Sequence, residues 1–324
     1  MQYVNLGKSG VKVSRICLGC MSFGNDAAWQ IELEEARRVI KKAIDAGINF
    51  FDTADQYSNG RSETILGECL KPWRDAVVIA TKAGFPMGTD PNDVGLSRRH
   101  IMHEIRASLK RLQTDHVDLY QIHRWDYQTP IEEVLTTLND IVRQGMSLYI
   151  GASSMYAWQF LKSIYLSQRL GLETFASMQG HYNLAYREEE REMIPLCREI
   201  EAAYLAWSPL ARGFLAGKYK RGEKPKTVRY VNDEYLEKRY FRPEDYNVAE
   251  AVEIVAKRKG VSSAQIALAW LLRKGVTSPI LGVTKLEQID EAIDALNVNL
   301  DEEEMRTLET PYKPHPVIGM ERLR

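Results

Sequence analysis

Phe50-Phe51-Asp52-Thr53-Ala54-Asp55-Gln56-Tyr57 decides how the chain is read. The apolar run 48–51 stops abruptly in a polar segment that carries Asp52 and, five residues on, Tyr57. A buried strand that empties into a functional loop leaves this pattern. Two later runs end the same way: Val77-Val78-Ile79-Ala80-Thr81 delivers Lys82, and Val117-Asp118-Leu119-Tyr120-Gln121-Ile122 delivers His123. Three successive strands thus place Asp, Tyr, Lys and His at one end of a sheet, where the four can build a proton donor of tuned acidity.

Working outward, residues 3–6 and 11–14, joined by Gly7-Lys8-Ser9-Gly10, read as a β-hairpin. A regular alternation follows. Strands are expected at 15–18, 48–51, 77–81, 117–122, 148–151, 174–178, 204–207 and 279–283. Helices are expected at 34–46, 62–70, 97–112, from the capping box Thr129-Pro130-Ile131-Glu132 to near Gly145, then at 158–169, 188–200, 249–259, 262–274 and 286–296. Short apolar strands alternating with helices indicate an all-parallel sheet. Closing eight of them gives a (β/α)8 TIM barrel of class α/β, with the N-terminal hairpin as a plug and residues 1–324 as one domain. A doubly wound sheet would need a glycine-rich fingerprint after its first strand, and no GxGxxG occurs.

Composition narrows the function. With 43 basic and 44 acidic residues the formal net charge is −1, which gives no reason to expect nucleic acid or an anionic membrane as partner. No apolar run reaches membrane-spanning length and no leader pattern opens the chain. Four cysteines in 324 residues make no disulfide framework. A cytoplasmic globular protein is expected, acting on a small molecule.

Each residue of the quartet has a bland explanation alone: a turn aspartate, a solvated lysine, a packed tyrosine, a structural histidine. Together they fall where barrel enzymes keep their active sites, at the C-terminal strand ends. A free tyrosine, with a pKa of about 10, is a poor acid for an alkoxide at neutral pH. An ammonium from Lys82 beside the phenol is expected to lower that value. Asp52 would keep Lys82 charged and placed, and neutral His123 would orient a carbonyl oxygen toward Tyr57.

With these residues in order, the chain resembles the aldo-keto reductases. The family's D-x4-Y, strand-end Lys and strand-end His correspond to Asp52, Tyr57, Lys82 and His123. Gly151-Ala152-Ser153-Ser154, Met178-Gln179, Trp207-Ser208-Pro209-Leu210 and Gly282-Val283-Thr284-Lys285 also occur in family order. Within the family, residues 122–127 and 309–316 are similar to the bacterial YajO-like subgroup, which is linked by annotation to 1-deoxyxylulose-5-phosphate synthesis. The resemblance implies metal-free carbonyl reduction with NADP(H), or with NAD(H). It implies that Ser153, Ser154 and Gln179 bond the carboxamide and that Trp207 stacks on the nicotinamide. It further implies that Ser208, Pro209, Leu210, Arg212, Gly213 and Lys218 wrap the pyrophosphate, and that Gly282, Thr284, Lys285, Gln288 and Glu291 hold the adenosine end. Met21, Phe23, Arg124 and Trp125 would line the substrate pocket with Tyr57 and Trp207.

Three departures carry expectations of their own. Gln288 and Gly282 stand where relatives place Arg and Lys against a 2′-phosphate, so Lys285 or basic residues of 217–242 would take over. Gly180 replaces a polar residue and should loosen the site beneath the nicotinamide. Residues 211–247, rich in Lys, Arg and aromatics, read as a mobile lid over the dinucleotide rather than a single-strand-binding surface. Other signals are set aside: Cys17-x-x-Cys20 as packing, Gly213 to Lys218 as one residue short of a phosphate loop, and His100 with His103 as solvated rather than metal-binding. Two other functions stay in view, a nucleotide-binding redox-sensing regulatory subunit with slow turnover and an aldolase using Lys82 as a Schiff-base nucleophile.

Overall fold

The structure, a computed structural model, describes residues 1–223, 225, 227–318 and 320. Tyr3–Asn5 (β1) and Lys12–Ser14 (β2) pair as the antiparallel hairpin, with Val4 opposite Val13. Eight further strands follow: Cys17–Gly19 (β3), Phe50–Asp52 (β4), Val78–Ala83 (β5), Val117–Ile122 (β6), Ser147–Ser153 (β7), Ser177–His181 (β8), Ala203–Trp207 (β9) and Ser278–Gly282 (β10). All eight are parallel, each beside the next, and β10 closes onto β3. Around them lie α1 (Leu33–Asp45), α2 (Arg61–Leu70), α3 (Arg98–Leu112), α4 (Ile131–Arg143), α5 (Ala157–Leu170) and α6 (Met193–Glu199). The connection after β9 carries the short α7 (Val228–Asn232) and α8 (Glu234–Arg239), then come α9 (Pro243–Lys259), α10 (Ser263–Arg273), α11 (Glu287–Asp294) and α12 (Glu302–Glu309). The (β/α)8 barrel and its hairpin are as the alternation predicts.

Side-chain parity sorts each strand into two faces. On β5, Val78 and Ala80 join Leu6, Val13, Cys17, Phe50, Leu119 and Leu205 inside the barrel. Ile79 and Ala83 face the helix layer. Lys82 shares the parity of Val78 and Ala80, so it points inward, one layer nearer the C-terminal end. The hairpin seals the opposite end. At Gly7, whose φ is +60°, a Cβ would lie 2.7 Å from the Ala176 carbonyl oxygen and 2.8 Å from the Ala203 nitrogen. Only glycine lets the turn press so closely on the bases of β8 and β9. Cys17 faces the interior and Cys20 the helix layer, and all four cysteines are free and buried.

The departures from expectation have local causes. Residues 188–200 break into a 3-10 turn at Glu188–Glu190 and α6. An unbroken helix would bury Pro195 in its interior, whereas the break puts it in a first turn, where no N–H is needed. Pro130 caps α4 instead of opening it, because Thr129 Oγ1 donates to Asp126 Oδ2 at 2.7 Å rather than capping the helix. β8 runs three residues beyond its expected end, into polar Gln179 and His181, since the barrel interior near its mouth is polar. Phe175, expected within that strand, instead stacks on Phe160 of α5 at 5.9 Å. α9 starts six residues early, with Pro243 in its first turn and Arg242 N donating to Asp245 Oδ2 at 2.9 Å. α12 was not anticipated, although Asp301-x-x-Glu304 is a capping box and forms as one. His100 is buried on the inner edge of α3, and only His103 is solvated.

Candidate active site

Asp52 ends β4, Lys82 lies on β5 and His123 directly follows β6, so three adjacent strands deliver them to one place. Lys82, with no exposure at all, donates from Nζ to Asp52 Oδ1 at 2.5 Å, to the Thr53 carbonyl at 2.7 Å and to Tyr57 Oη at 3.3 Å. The second oxygen of Asp52 accepts from Gln179 Nε2 at 2.8 Å and from Gln121 Nε2 at 3.1 Å. A buried ion pair is worth keeping only when its remaining polar atoms are bonded in this way. His123 stands edge-on to Tyr57 at 5.8 Å and to Phe85 at 4.8 Å.

Electrostatics set the protonation states. Burial alone would depress Lys82, but the Asp52 carboxylate, with Tyr57, holds it above the ordinary lysine range, so it stays an ammonium. Burial, then Lys82 and Arg124, push His123 well below the usual imidazole range, so it is neutral at pH 7. Burial raises the Tyr57 phenol, and the Lys82 ammonium pulls down without overcoming it. This corrects the expectation of a lowered phenol: the desolvation that makes the ion pair effective also penalises the tyrosinate. Tyr57 is therefore fully protonated at neutral pH, with the Lys82 ammonium 3.3 Å from its hydroxyl.

Tyr57 is carried on a turn with unusual backbone. Ser58 (φ 48°), Asn59 (φ 47°) and Gly60 (φ 84°) are all left-handed, at a cost of roughly 1–2 kcal/mol for each non-glycine residue.

Along β7 to β9, Ser153 sits in register with Gln179, and His181 with Trp207. Trp207 Nε1 donates to Ser154 Oγ at 3.1 Å. One face of the Trp207 ring is stacked on His181, centroids 4.1 Å apart and 7° between planes, and the Arg239 guanidinium lies 5.3 Å from its centroid. Gln179 spends its amide on Asp52 beneath. After β9 the backbone is left-handed at Ser208, Ala211, Arg212 and Gly213, with Pro209 and Leu210 between them. Such runs turn successive N–H groups into an anion-binding concavity. Exposed Lys218 follows. Beyond β10, Gln288 Oε1 accepts from Thr284 N at 2.8 Å and Lys285 N at 3.1 Å, Gly282 lies in register with Gly19, and Glu291 accepts from Ser262 Oγ.

Of the four pocket candidates, Met21 is half-buried, and Trp125 meets Trp158 at 6.0 Å. Arg124 donates to its neighbour's carbonyl, that of His123, at 2.7 Å and lies 5.3 Å from the Phe85 ring centroid. Phe23 is wholly buried in the layer between barrel and helices, where it pairs with Ile31, so the fold withdraws it from the mouth. Gly180 is also corrected. Its missing side chain would point outward, 2.2 Å from Tyr204 Oη, so the tyrosine fills that space and nothing is loosened beneath Trp207.

The described residues of the segment expected as a mobile lid make many contacts with one another. Phe214, Tyr219, Tyr230, Tyr240, Phe241 and Tyr246 pack into an aromatic core of their own, with Phe214 to Phe241 at 5.2 Å and Tyr219 to Phe241 at 5.3 Å. Arg212 pairs with buried Asp233, which also accepts from Arg229 Nε at 3.1 Å, and the Arg229 guanidinium lies 4.3 Å from the Trp29 centroid. Tyr240 Oη meets His181 Nε2 at 2.7 Å. The segment therefore straps the β9 side of the mouth to the β3 side. Lys224 and Lys226, among the basic residues expected to serve the 2′-phosphate, lie outside the described residues.

Sequence reading passed over Gln121, His181, Phe85 and Trp29. The first two were accessible by parity, each lying two residues from a residue already chosen on the same inner face. A groove of about 630 Å3 between α9 and α12 contains none of these side chains. Among the described residues, no cluster of His, Cys, Asp or Glu could hold a metal ion.

The sequence profile of the Aldo/keto reductase family matches residues 15–312, and the chain belongs to that family. It is an oxidoreductase acting on carbonyl compounds, in a family that uses nicotinamide cofactors. It is 41% identical over 344 residues to "Versiconal hemiacetal acetate reductase" of Aspergillus parasiticus, spanning 99% of this chain and 100% of that one. A protein of Saccharomyces cerevisiae provisionally named an aryl-alcohol dehydrogenase is 41% identical over 97% of this chain and 98% of its own. One of the same provisional name from Schizosaccharomyces pombe is 39% identical over 98% and 97%.

Proposed function

We propose that this protein is an NADP(H)-dependent reductase of aldehydes and ketones, with Tyr57 as general acid. The observation that carries the reading is the Tyr57 hydroxyl 3.3 Å from an ammonium that is itself locked to Asp52 at 2.5 Å. The left-handed cradle from Ser208 to Gly213, where buried Arg212 Nε has no partner, suits a pyrophosphate. Ser153, Ser154, Gln179 and Trp207 would hold the nicotinamide end. Gly282, Thr284, Lys285, Gln288 and Glu291 would hold the adenosine end, with Lys285 facing a 2′-phosphate. When bound, the nicotinamide supplies the hydride. Neutral His123 orients the carbonyl oxygen, Tyr57 gives it a proton, and Lys82 stabilises the phenolate until solvent reprotonates it. Removing such a proton donor costs about 100- to 10,000-fold in rate.

Phe85, Trp125 and Trp207 around the quartet favour an aromatic carbonyl compound, in keeping with the aryl-alcohol names of the relatives. Residues 1–324 act as one domain with 211–247 as cofactor lid. A cytoplasmic location accords with four free cysteines, and no described helix is long and apolar enough to cross a membrane. The likeness to the YajO-like subgroup remains a proposal, and the three relatives above, all fungal, lend it no support. An aldolase is disfavoured, because Asp52 keeps Lys82 protonated and a Schiff base needs the free amine.

The test is titration of NADPH and of NADH into the protein, followed by Trp fluorescence, and then addition of an aromatic aldehyde. NADPH should bind more tightly and be consumed. Binding of neither nucleotide would overturn the reading.

A further inference from the structure

Behind the quartet, on the helix side of the barrel wall, lies a second charged cluster that the reaction as described does not use. Glu63, in the first turn of α2, is wholly buried. One of its oxygens accepts from Thr81 Oγ1 at 2.5 Å, and Thr81 is the residue before Lys82. Its other oxygen accepts from Arg111 Nε of α3 at 2.6 Å. Arg111 also reaches Ser108 Oγ at 3.3 Å and Glu104 Oε2 at 3.4 Å.

The Arg111 side chain lies against Gly60, the last residue of the left-handed turn that follows Tyr57. A Cβ at Gly60 would stand 2.6 Å from Arg111 Cδ and 2.9 Å from its Nε. Asp55, two residues before Tyr57 and buried, belongs to the same cluster: its backbone N–H donates to the Lys82 carbonyl at 3.1 Å. Burial, then the charges of Glu63 and Glu104, push its carboxyl well above the usual carboxylate range, Arg111 opposing, and one of its oxygens has no partner. Strained backbone persists only where its surroundings over-determine it, and the Arg111 side chain packed against Gly60 is such a surrounding.

We propose that Arg111, fixed by Glu63, is a positioning residue for Tyr57. It clamps the Ser58 to Gly60 turn on one side and, through Glu63 and Thr81, the Lys82 strand on the other, and so sets the separation of phenol and ammonium. Geometry of this kind is worth a great deal, since an error of about 1 Å can cost about 100-fold in rate.

This rests on Tyr57 being the acid, so the experiment separates the two claims. Arg111→Lys, Gly60→Ala and Tyr57→Phe are compared with the unaltered protein under saturating NADPH, with an aromatic aldehyde as substrate. Kinetics are followed across pH, and NADPH affinity by fluorescence. Arg111→Lys keeps the charge but loses the Nε bond to Glu63 and the Nε and Cζ atoms that lie against Gly60. It should lower kcat about tenfold with KM and NADPH affinity unchanged, and move the alkaline limb of kcat upward, because a phenol further from Lys82 loses part of its stabilisation. Gly60→Ala perturbs the contact from the other side without touching a charge, and should give the same signature if Arg111→Lys does not fold. Unchanged kcat and alkaline limb in a folded variant, even with a lowered Tm, would overturn the proposal while Tyr57→Phe is still inactive. An active Tyr57→Phe would instead remove the reading on which it rests.

Discussion

At the scale of single residues, the quartet works by dividing one problem between two charges. An ammonium buried in the barrel would lose its proton unless a carboxylate held it, and Asp52 is in turn satisfied by Gln121 and Gln179. Because burial keeps the Tyr57 phenol above its ordinary range, the acid form persists through neutral and mildly alkaline pH. Carbonyl reduction should therefore be flat in kcat to about pH 10 and fall above it. Alcohol oxidation, which needs the phenolate, should rise over the same interval, and initial rates in both directions check the pair. Lys82→Met should cost at least as much as the loss of the general acid, about 100-fold or more in kcat, because it leaves Asp52 as an uncompensated buried charge.

At the scale of elements, the strap from 211 to 247 shows why some of the site was legible and some was not. Strand ends were readable because apolar runs stop where the charged and polar side chains of the candidate site start, which placed Asp52, Lys82 and His123 from residue order alone. The strap was not readable, because its stability comes from six rings that meet only in three dimensions and from Asp233 gathering Arg212 and Arg229. Phe23 was misjudged for a related reason: proximity to the first strand end said nothing of which way a 3-10 turn would rotate the chain. Glu63 and Arg111, 48 residues apart, carried no pattern at all. Since Asp233 is the knot of the strap, Asp233→Asn should speed NADPH release about tenfold, equivalent to about 1.4 kcal/mol. Stopped-flow fluorescence on displacement of bound NADPH measures it.

At the scale of the whole molecule, the barrel keeps chemistry at one end and stability at the other. The hairpin closes the lower end through Gly7, and Gly7→Ala should destabilise the protein by about 1–3 kcal/mol, seen as a lower Tm, with kcat unchanged in the protein that remains folded. A second global effect comes from Glu189, buried in the 3-10 turn before α6, whose carboxyl is raised to about 8 by burial and by Glu188. The folded state holds this proton and the unfolded chain, near pH 4.5, does not. Its contribution is therefore full below about pH 4.5 and is lost as pH rises through about 8. Glu189→Gln should raise Tm at pH 8.5 more than at pH 5. The central claim, however, is that one phenol delivers the proton. Single-turnover oxidation of bound NADPH by an aromatic aldehyde, compared between the unaltered protein and Tyr57→Phe, tests it most directly. The account predicts equal NADPH binding with a rate at least about 100-fold lower in the variant, and a variant that turns over at the unaltered rate would contradict it.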